Sequence, residues 1–469
     1  MPHPLSTTCP RSRWAIERFV LLLIAVLLLR TWYLEGLFMP CLVTGGSMAP
    51  TLVGLHREVS CGDCGHRFDC GSDLRPVGPR AVCPNCDHAG NDLSGLPDVD
   101  GDRVLIGKSI FRVRGPQRWE VVAFRPPWQA DKIHVKRVVG LPGESIRILG
   151  GDVLVDGQIQ RKSLWQQRAM AVLVHDANRQ PVLEPAPPLR WQGEREDSQW
   201  LSDAGRFGHP PTAEEEPIDW LVYRHWSRVP GRPGKIREGP ITNQSGYNQT
   251  RPRRHEDTHP VNDLMLSFRL KKTDGPGRLV VKAIAGRNEF EVSMYPGRGR
   301  FEVLQNGRRL PSGSGQLPDW SDALTVEVSL FDQQFLLAFD GRTAFPPWPY
   351  GRSAPVEDPV PRPLAIGSQG LDKVEICDLR VYRDVYYTHP IGPGGRRDPA
   401  KTYELAADEY FVVGDNNSIS EDSRTWPDYA LDAKLLIGKP LLVHFPAKRI
   451  SLGRWVFQVP DPAKIRYIR

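Results

Sequence analysis

The apolar positions fall into three textures along the chain. Phe19 to Leu29 is an unbroken run of eleven apolar residues, preceded by Arg11, Arg13 and Arg18. Basic residues ahead of such a run point the N-terminus toward the cytoplasm. A cleaved signal peptide would end in a small-x-small site, but Arg30-Thr31-Trp32-Tyr33 follows instead. A full span needs about 20 residues, so the pattern predicts an uncleaved anchor over 14–38. Arg30 would snorkel in that anchor, with Trp32 and Tyr33 at the interface. A buried core helix is the plainer alternative.

From residue 101 the period changes to short apolar or alternating runs parted by Gly and Pro. These are Arg103–Ile106, Glu120–Phe124, Ile133–Val139, Ser145–Leu149 and Val153–Val155, and they read as an all-β domain. Residues 165–260 show no clear period. A second series runs from Leu264 to Tyr386, with strands expected at 264–270, 278–285, 289–294, 301–304, 324–330, 334–339, 364–368 and 374–386. Regular short strands with turn signals suggest an antiparallel sandwich. A Gly/Pro/Arg linker covers 388–402, and strands return at 409–413 and 435–445.

Composition narrows the class. The 469 residues are 40% hydrophobic and 25% charged, which excludes disorder throughout and a polytopic membrane protein. The net charge of +6 balances 61 basic against 55 acidic residues, so no nucleic-acid partner is expected.

Three segments carry candidate chemistry. Ser47 lies in the turn Gly45-Gly46-Ser47-Met48-Ala49-Pro50-Thr51-Leu52. Lys136 lies in Lys136-Arg137-Val138-Val139-Gly140-Leu141-Pro142-Gly143-Glu144, after Ile133 and Val135. The third segment runs from Gly414 through Asp415, Asn416, Asn417, Ser418, Ser420 and Asp422 to Arg424. A serine hydroxyl needs a base. Lysine serves only when neutral, and an apolar setting lowers its pKa. A serine in a glycine turn and a lysine on a strand are each ordinary alone; their pairing is not.

Together these segments resemble the boxes of type I signal peptidases, the membrane-anchored Ser/Lys leader peptidases. The Ser47 turn matches S-M-x-P-T-L, Gly101–Lys108 matches a second box, Lys136–Glu144 matches K-R-x-x-G-x-P-G-[DE], and Gly414–Arg424 matches G-D-N-x-x-x-S-x-D-S-R. The resemblance implies a membrane-bound serine endopeptidase that removes signal peptides from exported preproteins, with small residues at −1 and −3. It makes Ser47 the nucleophile and oxyanion donor and Lys136 the general base. It has Ser420 orienting the amine, Met48 keeping it dry, and Asp422 with Arg424 as a supporting ion pair. No catalytic cofactor is implied. Two positions depart from the family. Gly45 stands where many members carry an oxyanion-hole serine, which leaves Thr44 as a weak substitute, and Asn417 stands where they carry arginine. Asp415 and Asn416 read as turn residues. Another Ser/Lys protease, or a degenerate anchored binding protein, are the competing functions.

Cys61, Cys64, Cys83 and Cys86 form C-x2-C-x18-C-x2-C, a zinc-ribbon spacing that implies a structural zinc. Two disulfides are the competing reading, since compartments outside the cytoplasm are commonly oxidising. Cys70 is a less well spaced ligand, and Cys9, Cys41 and Cys377 read as isolated thiols.

The expected fold is mainly β. It has a cytoplasmic terminus over 1–13, the anchor over 14–38, and a split catalytic domain over 39–55, 97–164 and 404–469. A zinc-ribbon insertion occupies 56–96. A large insertion covers 165–403, with a concanavalin/laminin-G-like jelly roll at about 260–388. The domain would face outward from the cytoplasmic (inner) membrane. Expected partners are preprotein signal peptides, membrane lipid, and a carbohydrate or protein ligand of the sandwich. Trp320 and Trp348 could stack on sugar but fit a core role better. Asn243 and Asn248 head glycosylation triplets that often arise by chance. The ends of the insertion, near Lys162 and Tyr403, should lie together, and its removal should spare catalysis of a simple peptide.

Overall fold

β-branched and apolar runs set the architecture. The computed structural model describes residues 10–73, 78–248, 258–351, 360–389, 398, 400–444, 447–452, 455–460, 462 and 465–468. The chain is mainly β, with one long N-terminal helix. Cys9 and most of the 388–402 linker lie outside the described residues.

That helix spans Pro10–Leu28 and passes into a π-helical turn at Leu29–Leu34 and a short turn at Glu35–Leu37. None of the described helices is long and apolar enough to cross a membrane. The anchor expected over 14–38 is therefore not supported. Arg11, Arg13, Glu17 and Arg18 occupy the first half of the helix, and the apolar run covers only part of its length.

Among the described residues, the box segments lie on or directly follow strands of one eight-stranded sheet. Its order is Phe38–Leu42, Arg103–Gly107, Leu436–Val443, Val121–Phe124, His134–Gly140, Glu409–Val413 and Leu431–Asp432, with Arg466–Tyr467 paired to Leu436–Val443. Val121–Phe124 is buried at every position, as its unbroken apolar run requires. Met48, Leu52, Val104, Ile106, Val121 and Ala123 pack beneath the sheet, with Ile133 and Val135 at the edge of that cluster. Phe124, Val138, Tyr410 and Val412 fill the opposite face.

A four-stranded sheet of Gln158–Ile159, Asp152–Val155, Ser145–Leu149 and Thr402–Glu404 follows. It brings residues 159 and 402 into one sheet, with Tyr403 opposite Ile146. Gln158–Ile159 and Thr402–Glu404 are the two edge strands of this sheet, with Asp152–Val155 and Ser145–Leu149 between them, so the ends of the long intervening segment flank one small sheet without pairing.

Nine- and seven-stranded antiparallel sheets share one large core that includes Phe268, Phe290, Phe335, Leu337 and Ile366. The strands expected from 264 onward are present, several with identical bounds, such as Arg278–Ala285 and Gln334–Phe339. The sheet pair is larger than 260–388. Val172–Asp176 and Arg206–His209 join one sheet, and Trp191–Gly193 and Asp219–Tyr223 join the other. These strands are three to five residues long and rich in Trp, Arg and His, so their period was too short to read. Trp320 is buried in this core and Trp348 packs against it, with its indole N–H donating to Gln305. Both are core aromatics.

Candidate active site and cysteine cluster

Ser47, Lys136 and the Gly414 loop converge on one cleft of about 710 Å³. Residues 41–48 form one wall and residues 131–136 the other, with Asp73, Val104, Ile419 and Glu421 completing it. Both walls carry backbone that the sheet leaves available. Phe38–Leu42 pairs with Arg103–Gly107, and Glu409–Val413 pairs with His134–Gly140 only over residues 137–140.

Strand geometry aims Lys136. It stands opposite Val122 on the buried strand, and only 3% of it is exposed. Its Nζ donates to Ser420 Oγ at 2.8 Å. Burial pushes the amine down to about 8, against the opposing pull of the Asp422 carboxylate. The Ser420 hydroxyl in turn faces Asp422. Met48, 1% exposed, packs in the same cluster as Val135 and shields this wall from water. The described residues show no Ser47–Lys136 hydrogen bond. Catalytic contacts are often long in the free enzyme and tighten with substrate.

Asp422 and Arg424 form the expected ion pair, at 2.7 Å and fully buried. Burial raises the Asp422 carboxyl, but the Arg424 guanidinium overrides this and holds it low. Asn417, which replaces the family's arginine, has its own role. Its side chain accepts from Arg424 and pairs with Thr388, taking that residue's N–H at 3.0 Å.

Close approach demands glycine at 414. A Cβ there would stand 2.3 Å from Ser420 Oγ and 2.4 Å from the Ser47 carbonyl. At Gly45 a Cβ would meet nothing within 4 Å. The missing family hydroxyl is therefore not excluded by space. Thr44 lines the cleft, and its carbonyl accepts from Leu55 N.

Asp415 and Asn416 are not merely turn residues. Asp415 takes both prongs of the Arg137 guanidinium, each at 2.7 Å, deep under the sheet, and also accepts from Thr51 Oγ1. A bidentate geometry of this kind offsets the cost of burying two charges. Asn416 donates its backbone N–H to the Ser47 carbonyl and its amide to the Gly46 carbonyl, each at 3.0 Å. Asp102, in the second box, accepts from Val53 N and Arg466 and braces the other end of the serine turn. A one-residue turn reading could not see these partners, which are up to 370 positions apart in sequence.

The segment 165–403 reaches the cleft as well. Tyr247 and Asn248 contact the Ser47 turn and the Gly414 loop. These contacts tie the segment to the serine turn and to the Gly414 loop at points other than its ends. Asn248 is committed to this network, and the rest of its glycosylation triplet, 249–250, lies outside the described residues.

The four cysteines Cys61, Cys64, Cys83 and Cys86 are buried, with all sulfurs within 4.8 Å of one another. Cys61 and Cys86 sulfurs are 3.6 Å apart, and those of Cys64 and Cys83 are 3.7 Å apart. A disulfide would bring two sulfurs to about 2.05 Å. A tetrahedral ion with bonds of about 2.3 Å separates them by about 3.8 Å. The donor set therefore fits a closed structural metal. Cys70 is buried nearby but outside the cluster. Cys41 and Cys377 are free thiols. The knuckles dock on residues 176–183 and on Arg228. Asp63 accepts from Val182 N and Leu183 N, Asn85 bridges Arg179 and Asp176, and Arg228 bonds Asp63, Asp87 and Cys86.

Comparison with known proteins agrees with two of the four boxes. Residues 94–195 match the family described as signal peptidase, peptidase S26. That match contains Lys136 but neither Ser47 nor Ser420. A probable signal peptidase I-2 of Synechocystis sp. is 40% identical over 63 residues, 12% of this chain and 29% of that protein. A signal peptidase I of Leptolyngbya laminosa is 33% identical over 71 residues, 13% and 35% of the two chains. The chain thus spans about a third of the length of these curated relatives. The carbohydrate binding module CBM66 from Bacillus subtilis overlaps 41% of this chain and 94% of its own. Its TM-score is 0.24 and its identity 8%, too low to support any argument. The resemblance to type I signal peptidases holds over the matched part of the chain and points to a peptidase-type hydrolase.

Proposed function

We propose that this chain is a serine endopeptidase that removes N-terminal signal peptides from exported preproteins, with Ser47 as nucleophile and Lys136 as general base. The observation that carries the reading is the buried Lys136 amine, pushed down to about 8 and held by Ser420 in the cleft that Ser47 lines. An extended substrate would lie between residues 41–46 and 131–136 and pair with their backbone. In this reading the apolar part of the cleft, Val43, Val104, Ile133 and Val135, would face small side chains next to the scissile bond. Lys136 takes the Ser47 proton as Oγ attacks the carbonyl, and later returns it to the leaving amine. The Ser47 N–H donates to the oxyanion.

In this reading the Cys61–Cys86 segment is a zinc ribbon inserted after the serine turn, and 165–403 is a second insertion built on the sheet pair. The zinc is structural and takes no part in the chemistry. Cleavage of a preprotein and of a short peptide spanning its cleavage site tests the proposal. Ser47→Ala and Lys136→Ala should each lower kcat at least about 10³-fold, and the double variant should be no worse than either single one, because the pair acts as a unit. Undiminished cleavage by folded Ser47→Ala would remove the dyad.

A further inference from the structure

We propose that Tyr247 and Asn248 are positioning residues for the Ser47 turn, so that the segment 165–403 sets the alignment of the nucleophile. The inference rests on the peptidase reading and concerns residues that none of the catalytic boxes contains.

The Gly46–Ser47 peptide is held from outside its own turn. Its carbonyl, Gly46 O, accepts from Asn416 Nδ2 at 3.0 Å. A trans peptide is planar, with its C=O and N–H antiparallel. Anchoring Gly46 O therefore aims the Ser47 N–H, the proposed oxyanion donor. The next carbonyl, Ser47 O, is held by Asn416 N. Asn248 in turn holds the Asn416 side chain through a reciprocal amide pair. Its Nδ2 donates to Asn416 Oδ1 at 2.7 Å, and its Oδ1 accepts from Asn416 Nδ2 at 3.0 Å. The same Nδ2 reaches Ser418 Oγ at 2.8 Å. Both ends of the Asn416 amide are thereby fixed, which leaves it one orientation in which it can hold Gly46 O.

Tyr247 secures the other side of the turn. Gly46 N donates to Asp73 Oδ2 at 2.8 Å, and Asp73 comes from just beyond the cysteine hairpin. The Tyr247 hydroxyl lies 3.0 Å from Asp73 Oδ1 and 2.9 Å from Leu55 O, and shares its one proton between these acceptors. Its ring is buried between two glycines. A Cβ would approach it to 2.1 Å at Gly46 and to 2.2 Å at Gly71. One aromatic side chain from 165–403 thus locks the cysteine hairpin against the nucleophile turn. Ala49, Val53 and Ile419 pack around it.

The loss from these residues should fall on the transition state rather than on substrate binding, because what they aim is the oxyanion donor. The experiment uses the full chain with Asn248→Ala and Tyr247→Phe. In cleavage of a signal-sequence peptide, kcat should fall about tenfold or more, KM should stay within about twofold, and the midpoint of the pH profile should not move, since the Lys136 environment is intact. Hydrogen exchange read by mass spectrometry supplies an arm independent of activity. Exchange over 43–52 should accelerate at least about tenfold in both variants, while the Cys61–Cys86 segment and the sheet strands keep wild-type protection. Unchanged exchange over 43–52, or an unchanged kcat, overturns the proposal. A wild-type protein that cleaves nothing refutes the peptidase reading instead, and the exchange arm still decides whether Tyr247 and Asn248 hold the turn.

Discussion

Lys136 shows how far one side chain's setting can shift its chemistry. An ordinary lysine titrates near 10.4, whereas burial brings this one to about 8. Only the neutral amine accepts a proton, so kcat should climb as pH rises through about 8 and level off above it. A rate that is flat or falling from pH 7 to 9, measured on a peptide substrate, would contradict the base assignment. Gly45 offers a second test at this scale. Space exists for a side chain there, and a hydroxyl beside the Ser47 N–H would add an oxyanion donor. Since such donors contribute about 10²–10³ in kcat when ideally placed, Gly45→Ser should raise kcat by about tenfold. A fall would mean that the Gly45 backbone already serves the oxyanion.

At the scale of elements, the Ser47 turn and the loop after Glu409–Val413 must touch, and Gly414 lies where they do. Gly414→Ala would force Ser420 and the Ser47 carbonyl apart. Loss of more than about 10²-fold in kcat, with thermal stability lowered by about 1–3 kcal/mol, is the expected result. The cysteine hairpins are the second element with a test. Metal analysis of purified protein should find about one zinc per chain, and Cys61→Ser should lose it. Because Asp73 follows this hairpin and bonds Gly46, zinc loss should also lower kcat. A metal-free wild type with oxidised thiols would return the reading to disulfides.

Across the whole molecule, the long segment is joined to the rest of the chain at more than its ends. Lys162, before it, is buried against Asp332 and Asp384 inside it, and Thr388 pairs with Asn417. Burial raises the Asp384 carboxyl to about 7, with the Lys162 ammonium pulling the other way. Breaking such a pair strands a buried charge and costs about 3–5 kcal/mol. Replacing 165–403 by a Gly/Ser linker should therefore abolish peptide cleavage, even though the strands at 158–159 and 402–404 share a sheet. Cleavage at wild-type kcat by that deletion would show the contacts at Tyr247, Asn248 and Thr388 to be incidental.

Local signals were enough for the features that depend on neighbours in sequence. Most strands from 103 to 155 and from 264 to 383 appear as alternating or unbroken apolar runs, according to whether one face or both are buried, whereas Arg308–Gln316, polar and glycine-rich, does not. Cys61, Cys64, Cys83 and Cys86 declare a candidate metal site by spacing alone, since each pair lies in a short loop and the two pairs come together. Ser47 and Lys136 stand out as candidates by box order. The short strands at 172–223 escaped because three to five residues carry too little period to distinguish from a loop. The partnership of Asp415 with Arg137, the clamp of Asn416 on Gly46, and the arrival of Tyr247 and Asn248 at the serine turn were not legible in the same way. Each joins residues 168 to 370 positions apart. Such pairings depend on which strand edges and loops the folded chain brings within hydrogen-bond reach, and that was decided only by tertiary packing.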